Sequence, residues 1–168
     1  MKLPKHEIFV ENDTVDVFDF FTNSKYQYMW PKFKNTKIVK IKHLNSKPYG
    51  EGKKLEYTFT DNHSKFNVEL EIYKYQKPNY LGYKLIDIST QKSGKNNSIM
   101  HYYLGEHVFD ISICELKKGA SIRIDHYINN TPSLFLSFMM YFYFGILGYL
   151  STRKYFKKIG KNIEKIPN

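Results

Sequence analysis

A single cysteine, Cys114, stands in 168 residues, so the chain can build neither an internal disulfide framework nor a thiolate metal site. Tryptophan is as scarce, with Trp30 alone, and only Arg123 and Arg153 carry a guanidinium among 26 basic residues. So few arginines, with lysines not interleaved with aromatics in an RNA-binding motif, argue against nucleic acid as a partner. The first residues, MKLPKHEIFVENDTVDVF, hold charge but no apolar core of signal-peptide length. With one cysteine, this fits a reducing compartment, and the expectation is a cytoplasmic protein, with membrane association left open. His101, His107, Asp110 and Asp125 fall on strand-like segments without any metal-ligand spacing such as HExxH, so no metal is assigned. Gly50-Glu51-Gly52 lacks the third glycine and the following helix of a phosphate-cradling loop. No Ser-His-Asp order is arguable from spacing, and Cys114 reads as strand packing. No catalytic residue and no cofactor is therefore named.

What the chain has in excess is tyrosine, phenylalanine and positive charge: 15 Tyr, 13 Phe and a formal net charge of +10. Tyrosine suits an interior that is apolar yet still offers a hydroxyl to buried polar groups. Half of the excess charge lies in the segment from Ser151 to Asn168, where Arg153 and five lysines oppose Glu164 alone. A solvated helix face accounts for such a cluster, and anionic lipid headgroups are the next reading. At 42% hydrophobic and 25% charged residues, the chain has the composition of a globular domain rather than of a disordered segment. No internal repeat or linker divides it, so a single domain over 1–168 is expected.

The apolar spacing predicts an ordered series of elements. Lys5 to Val10 is extended and runs into the capping residues Asn12-Asp13-Thr14, after which Val17, Phe18 and Phe21 share a helical face over about Thr14 to Thr22. A second short helix over Lys25 to Met29 stops at Trp30-Pro31. The period then changes to two. Strands are predicted at Lys37 to His43, around Leu55 to Thr60, at Lys65 to Gln76, at Tyr80 to Ile88, from Ile99 through His107 to Leu116, and at Ser121 to Ile128. Ser89 to Ser98, rich in Ser, Gly, Asn and Lys, is predicted to be a polar loop, and Lys117-Lys118-Gly119 a tight turn. A long helix over about 132–165 closes the chain. Its first half, Ser133 to Leu150, has no charged residue, and its second half repeats Phe156, Ile159, Ile163 and Ile166 against lysines. This is an α+β order: a strand, two short helices, an antiparallel sheet and one helix long enough to cover it.

The order resembles that of the START-like, SRPBCC superfamily, and within it the small polyketide cyclase/dehydrase-like and coenzyme Q-binding-like proteins. The matching pieces are the N-terminal strand with its Val15-Asp16-Val17-Phe18-Asp19-Phe20-Phe21 helix, Trp30-Pro31, and Gly50-Glu51-Gly52 before a strand. Lys77-Pro78 leading into Tyr80-Leu81-Gly82-Tyr83, and an apolar helix with Gly145 that runs into a basic tail, complete the match. The resemblance implies a helix-grip fold, in which a curved antiparallel sheet wraps the C-terminal helix around an apolar cavity. It further implies a binder of a lipid or other hydrophobic small molecule, of carrier or sensor type. The wall of that cavity would come from the inward faces of the strands: Tyr57, Phe59, Phe66, Val68 and Leu70, then Phe109, Ile111, Ile113, Ile122 and Ile124. Phe138, Met139 and Phe142 would line it from the helix. Ordinary core packing is the competing account for each of them.

His126 is the polar residue that strand alternation sets among Ile122, Ile124 and Ile128, where an imidazole could bond a ligand carbonyl or move a proton. Glu115, in phase with Phe109, Ile111 and Ile113, is its expected partner. Two other functions remain open at this point. One is an enzyme of polyketide cyclase or dehydratase type using cavity His and Tyr groups. The other is membrane anchoring through 131–150, which is long enough to cross a bilayer. Contact of Lys154, Lys157, Lys158 and Lys161 with an anionic membrane surface is the expected second partnership.

Overall fold

The structure, a computed structural model, describes residues 1–30, 37–60, 65–92, 95–98, 106–130, 133, 138–139, 141–142 and 149–166. The chain opens with β1 (His6–Val10) and two short helices, α1 (Thr14–Thr22) and α2 (Ser24–Gln27). Asp13 is the N-cap of α1, its carboxylate accepting from the Asp16 amide at 2.8 Å, which satisfies one of the donors a helix start leaves free. Asn23 caps α2 in the same manner through Lys25 N–H. Seven strands follow: β2 (Lys37–His43), β3 (Lys54–Thr60), β4 (Lys65–Gln76), β5 (Tyr80–Lys92), β6 (Lys95–Ser98), β7 (Glu106–Glu115) and β8 (Ala120–Asn129). The last described element is α3 (Tyr149–Ile163).

All pairings are antiparallel, in the order β1-β8-β7-β5-β4-β3-β2, with β6 added on β5. Successive side chains of a strand point to opposite faces, so the register writes out the inner face in rows. One row joins Ile113, Ile122 and Ile8; the next joins Leu81, Ile111, Ile124 and His6; a third joins Tyr83, Phe109 and His126. The core lies on this face. Leu55, Ile72, Leu81, Ile113 and Ile122 are fully buried there, against Val17, Phe18 and Phe20 of α1 and Ile163 of α3. Helix α3 presents Ile159 and Ile163 inward, with Ile166 buried just past its end, and its lysines outward, the amphipathic arrangement its spacing dictates. Asn162 ties it to the turn after α2 by donating to the Met29 carbonyl at 2.7 Å.

Most strand bounds agree with the alternation, and β2 and β4 coincide with their expected ranges. The polar loop expected over Ser89 to Ser98 is instead paired: β5 continues to Lys92 and turns back as β6, with Ser89 opposite Ser98. Main-chain hydrogen bonding, which needs no apolar face, makes that hairpin. The Lys117-Lys118-Gly119 turn is formed, with Gly119 at φ +83°, a conformation that costs a residue bearing a Cβ. Of the helix expected over 132–165, Tyr149–Ile163 is described; 131–132, 134–137, 140 and 143–148, like the strand start expected at 99–105, lie outside the described residues. Among the described residues no helix is long and apolar enough to cross a membrane.

Candidate functional site

The inner face changes character along the strands. At one end α1 and α3 seal it, and Tyr57, Ile111, Ile113, Ile122 and Ile124 join one closed core cluster. At the other end the same strands carry Phe59, Phe66, Val68, Leu70 and Phe109, all only half-buried. Phe59 and Phe66 stack there, ring centroids 5.1 Å apart and planes 7° from parallel. Ten sequence-predicted wall residues thus share one face, five of them packed away and five partly open. Phe138, Met139 and Phe142, expected to line the wall from the helix, are all exposed, Phe138 by 66%. Four apolar side chains in five positions, Tyr141 included, face outward there, so their spacing alone could not separate a core face from an exposed apolar one.

His126 does sit on the inner face, with Phe109 stacked on its ring at 4.2 Å. Its expected partner is corrected. Glu115 is exposed at the far end of β7, opposite Ala120, and the group bonded to His126 is His107, Nδ1 to Nε2 at 2.9 Å. His107 lies two residues before Phe109, the register partner of His126, so the two imidazoles meet diagonally across neighbouring strands. Burial pushes the His126 pKa down to about 3, with the charges of His107 and His6 acting in the same direction. Near neutral pH the His126 imidazole is therefore uncharged, a hydrogen-bonding ring within an aromatic wall.

A second polar group lies where the sealed and open ends meet, and sequence reasoning missed it. Gln27 Nε2 donates to the Phe21 carbonyl at 2.6 Å and to the Tyr49 hydroxyl at 3.1 Å; the Tyr83 hydroxyl donates to the same carbonyl at 2.9 Å and lies 3.3 Å from that of Tyr49. Tyr57 belongs to this cluster and stacks on Trp30 at 5.8 Å. Among the described residues, neither the Tyr57 hydroxyl nor Gln27 Oε1 has a partner in hydrogen-bond geometry, though both are buried. Burial raises the pKa of Tyr49, Tyr57 and Tyr83, so all three remain protonated. The polar atoms of Tyr49, Gln27 and Tyr83 lie near the Tyr57 hydroxyl without ideal geometry, and a water or a ligand's polar group would complete its bonding. The excess of tyrosine was the available signal; nothing in the spacing brings Gln27 to Tyr57.

No group of three metal-ligating side chains gathers among the described residues. No protein-family model matches the chain, and no curated protein matches it in sequence. Solved structures do match it in shape. A protein from Chromobacterium violaceum aligns over 100% of both chains with a TM-score of 0.66 at 12% identity. One from Arthrobacter aurescens reaches 0.70 at 11% identity, covering 98% of this chain and 87% of its own. A protein of unknown function from Staphylococcus aureus reaches 0.65 at 12% identity, over 96% of this chain and 92% of its own. Identities this low establish a shared fold and leave the activity to the site.

Proposed function

We propose that this chain is a START-like, helix-grip protein of the SRPBCC type that holds a lipid or another apolar small molecule between the sheet and the C-terminal helix, as a carrier or sensor. The observation that carries this reading is the half-open aromatic end of the inner face. Phe59, Phe66, Val68, Leu70 and Phe109 share the inner face and are each left partly exposed, with Phe59, Leu70 and Phe109 packed on the edge of the closed core. Binding there draws on roughly 25 cal/mol for each Å² of apolar surface removed from water. The uncharged His126 imidazole and the buried Tyr57 hydroxyl and Gln27 Oε1 are the polar groups that would orient a ligand. Their chemistry favours holding over turnover. An imidazole with a pKa near 3 and tyrosines shifted upward keep one protonation state near neutral pH, whereas acid–base catalysis needs a group poised close to it.

The test is to purify the protein without detergent, extract it with organic solvent and compare the extract with a mock purification by mass spectrometry. The expected result is a stoichiometric apolar molecule, released in smaller amount by His126→Ala at unchanged folding. An empty extract from well-folded protein would reject a tightly held ligand. Conversion of added ligand into a product, lost in His126→Ala, would replace the carrier with a cyclase- or dehydratase-type enzyme.

A further inference from the structure

Outside the interior, the free edge of β1 and the flank of α3 enclose a groove of about 590 Å³. Helix and strand touch closely beside it: a Cβ added at Gly160 would lie 3.5 Å from Val10 Cγ1. Residues from both faces of β1 line the groove, Lys5, Glu7 and Phe9 from one and His6 and Ile8 from the other, which marks it as the unpaired edge of the sheet. Its floor is apolar and aromatic. The His6 ring stacks on Tyr149 at 5.1 Å and packs on Phe156 at 4.8 Å.

The walls are charged, with an imbalance. Arg153, Lys157 and Lys161 follow one another at a spacing of four, so they form a single stripe along the helix, and Lys5 faces them from the strand. Glu7 and Glu164 are the acidic residues of the lining, and Glu7 already accepts from the Ser121 hydroxyl at 3.1 Å. Burial and the nearby Arg153 lower the pKa of His6, so this ring adds apolar surface and no charge. Two large apolar side chains are left open to water: Phe9, which lines the groove, is 66% exposed, and Leu150, next in the chain to Tyr149, 65%.

We infer that this groove docks the protein on an anionic membrane, seating one phospholipid with its phosphate among Lys5, Arg153, Lys157 and Lys161 while Phe9 and Leu150 enter the acyl boundary. A free phosphate ion would answer the cations but leave the aromatic floor and both exposed side chains in water. A neutral lipid would leave the cationic stripe unanswered. Lys154 and Lys158, one position further along the same helix, are exposed and do not line the groove. The site is separate from the interior one and stands without it.

Flotation with phosphatidylcholine vesicles, with and without a minor fraction of phosphatidylglycerol, tests it at about 0.1 M salt. The protein is expected to float only with the anionic vesicles. Arg153→Gln with Lys157→Gln should weaken binding roughly 30-fold, since each cation near the surface contributes about fivefold. Lys154→Gln with Lys158→Gln removes the same charge from the same helix and should cost about threefold or less, its cations lying further from the headgroups. Phe9→Ser with Leu150→Ser should lower affinity while leaving the salt dependence unchanged. No preference for anionic vesicles overturns the proposal, and equal losses in the two lysine-containing pairs overturn the groove as its site. Shifts of the His6 resonances with millimolar inorganic phosphate, in a protein that does not float with anionic vesicles, would make the occupant a free anion and overturn docking.

Discussion

His126 is held between the Phe109 ring and the His107 nitrogen, and that enclosure sets how the protein answers acid. Its folded-state pKa of about 3 lies below the ordinary imidazole value of 6.5, so the unfolded chain takes up the proton first. The associated stability is complete above about pH 6.5 and drains away as pH falls toward 3, by at most about 1.4 kcal/mol per pH unit for one proton. Urea midpoints measured from pH 7 to pH 4 should therefore decline more steeply for the natural protein than for His126→Gln. Parallel slopes would mean that the imidazole is hydrated in solution. Strand alternation was sufficient to put His126 on the inner face. Its partner was not legible, because the choice between His107 and Glu115 depends on the β7–β8 register, and a shift of register moves every opposing residue.

Two glycines lead to opposite expectations because of what surrounds them. Gly119 turns β7 into β8 at φ +83°, and a Cβ there would come within 2.0 Å of the Val10 carbonyl oxygen. Gly119→Ala should destabilise the protein by about 2 kcal/mol or more, through a disfavoured backbone and a clash that also loosens β1. Gly160 lies within α3, where its hypothetical Cβ finds Val10 Cγ1 at 3.5 Å, an ordinary contact. Gly160→Ala should be neutral or stabilising by up to about 1 kcal/mol, the difference in helix propensity. Chemical denaturation of both variants checks the pair; a strongly destabilised Gly160→Ala would mean that helix and strand are already in closest contact. Among the elements, α1 and β4 were legible because each carries its period undiluted: Val17, Phe18 and Phe21 in the one, Phe66, Val68, Leu70 and Ile72 in the other. The β5–β6 hairpin was not, because Ser89, Asn96, Asn97 and Ser98 carry no apolar alternation and its pairing is main-chain chemistry.

Among the described residues the inner face pairs a sealed end with a half-open one, and the ligand proposed for it, binding only the folded state, would add to stability. Protein stripped of apolar ligand on a hydrophobic resin should melt lower than protein as purified, since a ligand at a hundred times its Kd contributes about 2.7 kcal/mol. Melting curves before and after stripping, and after adding back the organic extract, measure this. No change on stripping would indicate that the aromatic wall closes on itself. At this scale, order of elements and sign of charge were legible, but the groove was not. Lys5 and Arg153 belong to opposite ends of the chain, and no local pattern relates them.

By itself the sequence determined which residues of β3, β4, β7 and β8 turn inward, where α1 starts, which stripe of α3 is greasy and that the C-terminal helix is cationic. These are properties of short windows, governed by periods of two and of 3.6 and by capping chemistry. Tertiary structure alone decided that β1 pairs with β8, that two histidines share a hydrogen bond, that Gln27 joins three tyrosines and that four cations ring an aromatic groove. Each of those joins residues distant in the chain, and such neighbours are chosen by the packing of the whole sheet against its helices, which no window of sequence contains.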